Sequence, residues 1–272
     1  MELILITKDP KVAKYAEESD VDTIMVDLEI IGKKERQGHL NTVISGHTLK
    51  DISNVRAVLK KSKLLVRINP IYENSKQEIN EAISRGADAL MLPMFKTRHE
   101  VEKFIDLVKG RAETYLLLET PQALVRIDEI LEIEDIDAIH IGLNDLHILM
   151  GLDFMFELLS GGIIEYLSKK IKKRGIKFGF GGIARIGEGT LKSELILSEH
   201  VRLNSQMVIL SRSFKGYKED YDDIVKNINL RLEVKKIREY IKSLKNKSVE
   251  ELLFNKNMLT LKVRKIVNEI LK

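Results

Sequence analysis

The strongest constraint on this chain is a strict alternation along residues 3–211, in which short apolar, β-branched runs are separated by amphipathic segments. Eight such runs occur, at 3–7, 23–28, 64–69, 89–93, 115–119, 138–142, 177–181 and 207–211. They are apolar throughout instead of alternating with polar residues. This is the pattern of parallel strands buried on both faces, and parallel strands need crossover connections. Helical periodicity supplies them at 10–19, 49–61, 76–85, 98–109, 121–132, 154–174 and 191–200. Eight βα units with no switch point favour closure over an open doubly wound sheet, so the expected fold is α/β, a (β/α)8 TIM barrel. A chain of 272 residues can bury one such core. The barrel domain is placed at 1–216, and 217–272 is read as a C-terminal helical extension.

That extension shows helical spacing over 223–244 and 249–271, enough for two or three additional C-terminal helices. Their apolar stripes require a partner, either the flank of the barrel or a neighbouring subunit, and a homo-oligomer is expected. The net charge of +4 arises mostly here, from residues such as Lys235, Lys236, Arg238, Lys242 and Lys245 interleaved with Ile and Leu. They read as solvated helix faces, and with no tryptophan in the chain there is no base-stacking platform, so no nucleic-acid partner is expected. No apolar run approaches the roughly 20 residues of a membrane span, and the start MELILITKDPK lacks the length and basic lead of a signal. A cytoplasmic protein with no membrane partner is expected.

In a barrel the reactive groups lie at the carboxyl ends of the strands. These ends carry Thr7 and Lys8, Asp27 and Glu29, Arg67 and Asn69, Lys96, Glu119, Asn144 and Asp145, Arg185, and Ser211 with Arg212. Glu119 closes the otherwise apolar run YLLLE, where an unpaired buried charge is costly and calls for a cation. Asp145, one strand away in HIGLNDLH, could share a divalent ion with it. The absence of cysteine leaves carboxylate, imidazole and water as ligands, which favours a hard ion, Mg2+ or Mn2+. The alternative is that Glu119 pairs with Arg67 and Asp145 caps a helix.

Arg67 at a strand end suits a planar anion such as a small-molecule carboxylate, or else an internal pair with Glu29 or Glu119. Asp27 and Glu29 would organise that arginine or accept from water on the metal. Gly179, Gly181 and Ala184 in FGFGGIARIG have dinucleotide-like spacing, but they follow the seventh strand. They read as close strand–helix approach or as an anion site with Arg185 and Arg212. His39 and His47 fall in the long connection 31–48 and are candidate proton shuttles; the other histidines, His140 among them, read as structural.

The pieces VDLE followed by GKKERQ, then LLVRIN, GADALMLPM, LLLET and HIGLNDL span nearly the whole barrel in one order. With them the chain resembles the HpcH/HpaI aldolase and citrate lyase β-subunit family of the phosphoenolpyruvate/pyruvate-domain superfamily. The resemblance implies a Mg2+-dependent carbon–carbon lyase or aldolase in which Glu119 and Asp145 bind the ion. Arg67 would act catalytically and, with Asn144, Arg185 and Arg212, hold a 2-oxo acid or related carboxylic or acyl-CoA substrate. Glu29, Asp27 and His47 complete the candidate catalytic set. Two departures stand out. Glu29 is followed by Ile30, where the pyruvate aldolases place an acidic residue and then a catalytic histidine, and no CoA-binding signature is evident. The alternatives are phosphoenolpyruvate-type chemistry or an oxo-acid-binding barrel without turnover.

Overall fold

The structure, a computed structural model, describes residues 1–32 and 46–272. Eight parallel strands close on themselves in sequence order: β1 (Glu2–Ile6), β2 (Thr23–Asp27), β3 (Lys63–Arg67), β4 (Ala89–Leu92), β5 (Glu113–Leu118), β6 (Ala138–Ile141), β7 (Lys177–Ile183) and β8 (Met207–Leu210). β1 pairs with β8 from Glu2 opposite Met207 to Leu5 opposite Leu210, which shuts the cylinder. The fold is the expected TIM barrel.

Alternate residues of the strands point inward and fill the cylinder with Ile4, Met25, Leu65, Ala89, Met91, Tyr115, Leu117, Ala138 and Met207. The outward-facing residues meet the helices in a second, larger apolar layer that includes Leu3, Val26, Val66, Leu116 and Ile139. This division explains why the strand runs are apolar throughout: both faces are covered.

Among the described residues, the helices between β1 and β8 are α1 (Pro10–Glu18), α2 (Leu49–Arg56), α3 (Ser75–Ser84), α4 (Arg98–Val108), α5 (Pro121–Val125), α6 (Ile127–Ile130), α7 (Leu143–Leu149), α8 (Glu157–Ser160), α9 (Ile163–Lys173) and α10 (Ser193–Arg202). A 3-10 turn over Arg212–Lys215 follows β8. Where start signals are written locally the ends agree with expectation. Asp9 and Thr120 cap α1 and α5, each followed by proline, and Thr97 with Glu100 forms a capping box on α4.

Four readings need correction, the first being the helix expected over 121–132, which divides at Arg126 into α5 and α6. The segment expected to be one helix over 49–61 stops at Arg56, because the Glu17 carboxylate accepts from the backbone N–H groups of Lys60, Lys61 and Ser62 at 2.7–2.9 Å and pulls the chain out of helix. The expected helix over 154–174 divides at Gly161 and Gly162, and Gly162 has φ +85°. The helix α7 was not anticipated as a separate element.

Beyond the barrel lie three helices, α11 (Tyr221–Asn227), α12 (Leu230–Lys245) and α13 (Val249–Ile270). The barrel's own flank takes much of their apolar surface. Leu230, Val234, Ile237, Ile241, Leu244, Leu259 and Val263 are buried, and the Tyr15 hydroxyl accepts from the Leu230 N–H at 3.0 Å. On α13 Leu253, Phe254, Leu261 and Ile270 stay exposed. No helix among the described residues is long and apolar enough to cross a membrane.

Candidate active site

Local sequence sets each reactive side chain at the mouth. β5 must end at Leu118, because Thr120 caps the next helix and Pro121 occupies its first turn, so Glu119 is the residue at the corner. Thr120 fixes that corner twice, donating from Oγ1 to the Phe95 carbonyl at 2.7 Å and accepting from the Ala123 N–H at 3.1 Å. On the next strand Gly142 serves as N-cap of α7 and puts Asp145 in its first turn. A side chain at this position would crowd the corner, since a Cβ there would lie 2.9 Å from Glu119 Cβ.

Glu119 is 2% exposed and accepts from the Met94 N–H at 3.2 Å. Burial drives its pKa well above the ordinary carboxylate range, the charges of Glu29 and Asp145 push the same way, and Arg67 and the Met94 N–H oppose them. Glu29, Asp27 and Asp145 are also buried. Among the described residues no set of three or more His, Cys, Asp or Glu side chains forms a closed metal cage.

Arg67 is held chiefly by Asp27, one of the two acids expected to organise it, with Glu29 as the nearer of the two partners raised for an internal pair. Its Nε and Nη2 donate to the two carboxylate oxygens of Asp27, its register partner across β2 and β3, at 2.7 and 2.6 Å, and Nη1 lies 3.4 Å from Glu29 Oε2. The bidentate grip expected for a substrate is thus taken by Asp27. A guanidinium has five N–H groups, so after these three contacts one on Nη1 and one on Nη2 are left.

Both ends of the β2–α2 connection are tied to strand ends. Asn69 Oδ1 accepts from Ile30 N–H at 2.9 Å and Ile31 N–H at 3.1 Å while its amide donates to buried Glu78 at 2.7 Å. At the other end His47 Nδ1 accepts from the Asp27 N–H at 2.9 Å, and Lys8 donates to the Gly46 carbonyl at 2.8 Å. The proton of His47 is therefore on Nε2, and burial lowers its pKa. A shuttle role would have only Nε2 to work with. His39 and most of GKKERQ lie outside the described residues.

Arg67, Glu119, Asn144 and Asp145 converge on one cavity of about 160 Å³, whose floor is made by Ile6, Met25, Met91, Leu117 and Ile209. Arg185 and Arg212 do not line it. Arg185 is turned to Glu188 at 2.5 Å and Arg212 is exposed on the 3-10 turn, so the anion site expected after the last two strands is not assembled. The close-approach reading of the glycine cluster accounts for Gly179, where a Cβ would fall 2.3 Å from the Met207 carbonyl oxygen on β8. His140 was missed. It lines the cavity, and the signal for it was its alternation with inward-facing Ala138 on β6.

The model of the HpcH/HpaI aldolase/citrate lyase family matches residues 3–155, more than half of the chain and the segment that supplies every cavity carboxylate. The chain belongs to this family. Membership supports a lyase or aldolase kind of activity, and hence an enzyme. Solved structures agree on the fold. An HpcH/HpaI aldolase from Desulfitobacterium hafniense DCB-2 superposes with a TM-score of 0.62 at 16% identity, covering 83% of this chain and 92% of its own. An HpcH/HpaI aldolase/citrate lyase family protein from Burkholderia cenocepacia J2315 gives 0.60 at 11% identity, covering 90% and 95%. The citrate synthase SbnG gives 0.58 at 15% identity, covering 88% and 94%. No curated protein matches the chain in sequence.

Proposed function

We propose that this HpcH/HpaI-family protein is a divalent-metal-dependent carbon–carbon lyase or aldolase acting on a small 2-oxo acid or a related carboxylic acid. The observation that carries the reading is Glu119, a buried carboxylate at the mouth whose charge is disfavoured by burial and by the charges of Glu29 and Asp145, with Arg67 and the Met94 N–H opposing them. Further positive charge at this point would favour the ionised form of Glu119. Two carboxylates at the mouth match what Mg2+ or Mn2+ takes from a protein, since these ions keep positions for water and ligand oxygens. Glu119 and Asp145 would hold the ion, which when bound stabilises the negative charge that develops on the acid as the carbon–carbon bond breaks.

The chain's own groups do the rest. Asp27 fixes the plane of Arg67, and the two remaining N–H groups of Arg67 are the donors available to a carboxylate or oxo oxygen. The apolar floor excludes water beneath the reacting carbons. A retro-aldol screen with Mg2+, Mn2+ or Co2+, following release of pyruvate or glyoxylate, tests the reading. Glu119→Gln and Asp145→Asn should each lower turnover at least about a hundredfold. Full activity in both variants would remove the metal assignment.

A further inference from the structure

Among the described residues, the non-glycine ones with a positive φ are Asp20, Met94, Lys109, Asp135, Asn204 and Tyr217. All but Met94 are exposed. Met94, with φ +55°, is buried just beyond β4, at the carboxyl end of the barrel. No helix ends there, since β4 closes at Leu92 and α4 opens at Arg98. In this left-handed region a Cβ crowds the backbone, so a buried methionine is disfavoured where glycine would be at ease. Such conformations persist where neighbours hold them, and they gather at functional sites.

Three consecutive residues of the β4–α4 connection are fastened to the segment that follows β5. The Met94 N–H donates to Glu119 Oε1 at 3.2 Å, the Phe95 carbonyl accepts from Thr120 Oγ1 at 2.7 Å, and the Lys96 carbonyl accepts from Arg126 Nη1 at 2.8 Å. Of the three partners, Glu119 alone lines the cavity. Its Oε1 is engaged by Met94, and its Oε2 lies 2.8 Å from the point where a Cβ on Gly142 would stand. Gly142 is the N-cap of α7, whose first turn carries Asp145. The Met94 N–H thus fixes the carboxylate with Oε2 toward the helix of its partner acid.

We propose that Met94 is a positioning residue for Glu119: its left-handed backbone aims the N–H at Oε1 and keeps Oε2 on the Asp145 side for the divalent ion. This rests on the metal reading of the site.

Titration of the full chain with Mn2+, followed by the paramagnetic resonance of the free ion, tests it in two variants that set backbone against side chain. Met94→Ile keeps an apolar side chain of like size but is β-branched and ill suited to positive φ, so Mn2+ affinity should fall about tenfold. Met94→Gly loses the side chain but keeps the turn and its N–H, so affinity should stay within about twofold of the wild type. Affinity unchanged in Met94→Ile, or lost equally in Met94→Gly, overturns the proposal. Where Met94→Ile fails to fold, the α-hydroxy analogue of methionine at position 94 removes the N–H alone. This ester should also bind Mn2+ about tenfold more weakly, and an unchanged affinity overturns the proposal. If the wild type binds Mn2+ and the variants depart from this pattern, only the role of Met94 falls. If the wild type binds no Mn2+, the metal reading falls and takes that role with it.

Discussion

The two ends of the barrel treat charge in opposite ways. At the amino-terminal end Lys63 donates to Glu113 at 2.5 Å and to the Tyr115 hydroxyl at 3.1 Å, and Arg56 donates to Asp88 at 2.8 Å. Against the desolvation of partial burial, the Lys63 ammonium and the Tyr115 hydroxyl hold Glu113 below the ordinary carboxylate range. At the carboxyl end Asp27, Glu29, Glu119 and Asp145 gather near Arg67, and Glu119 is driven the other way. One end neutralises its acids and closes the cylinder. The other gathers them around Arg67 at the mouth of the cavity, where the proposed substrate would sit, so that stability and chemistry would be kept at separate ends of the fold.

If that contrast is right, removing a cation should cost far more at the mouth than at the base. Arg67→Met leaves Asp27 and Glu29 buried without their guanidinium, and urea denaturation should show a loss of about 3–5 kcal/mol. Removing an acid at the mouth should do the reverse. Glu119→Gln in metal-free buffer should gain about 1–3 kcal/mol, and addition of Mg2+ should raise the Tm of the wild type but not of the variant.

A paired acid outside the mouth is shifted in the direction opposite to Glu119. Glu165 on α9 bonds Lys256 and Arg202 at 2.8 Å each, and these with Lys169 hold its pKa down to about 2. A depressed carboxylate contributes stability above its unfolded pKa and loses it as pH falls through the folded one. Glu165→Gln should therefore lower Tm by a few degrees at pH 7, with the gap closing between about pH 4.5 and pH 2. The smallest effect is expected at the base: Lys63→Met removes a half-exposed pair and should cost about 1 kcal/mol or less. A loss as large as that of Arg67→Met would break the contrast.

Much of the fold could be read from the chain because its signals are local. The caps at Asp9, Thr97, Thr120 and Ser248 and the doubly buried strand runs lie within a few residues of the elements they define. The early end of α2 could not be read, since Glu17, which causes it, is more than 40 residues away. Glu119 was conspicuous as a carboxylate ending an apolar run. Arg67 was conspicuous too, with Asp27 and Glu29 as its expected organisers, but the two-pronged grip by Asp27 follows from the β2–β3 register, which only pairing reveals. His140 was hidden because one polar residue in AIHI looks like ordinary variation until the inward face of β6 is known.

Closure of the barrel has a consequence for the surface of the protein. With β1 bonded to β8, the described strands have no unpaired backbone row to offer another chain, so edge-to-edge addition of a foreign strand has no template here. Recognition on the outside of the described barrel is left to side chains, and Phe254 and Leu261, seven residues apart on α13, are two exposed apolar ones among them.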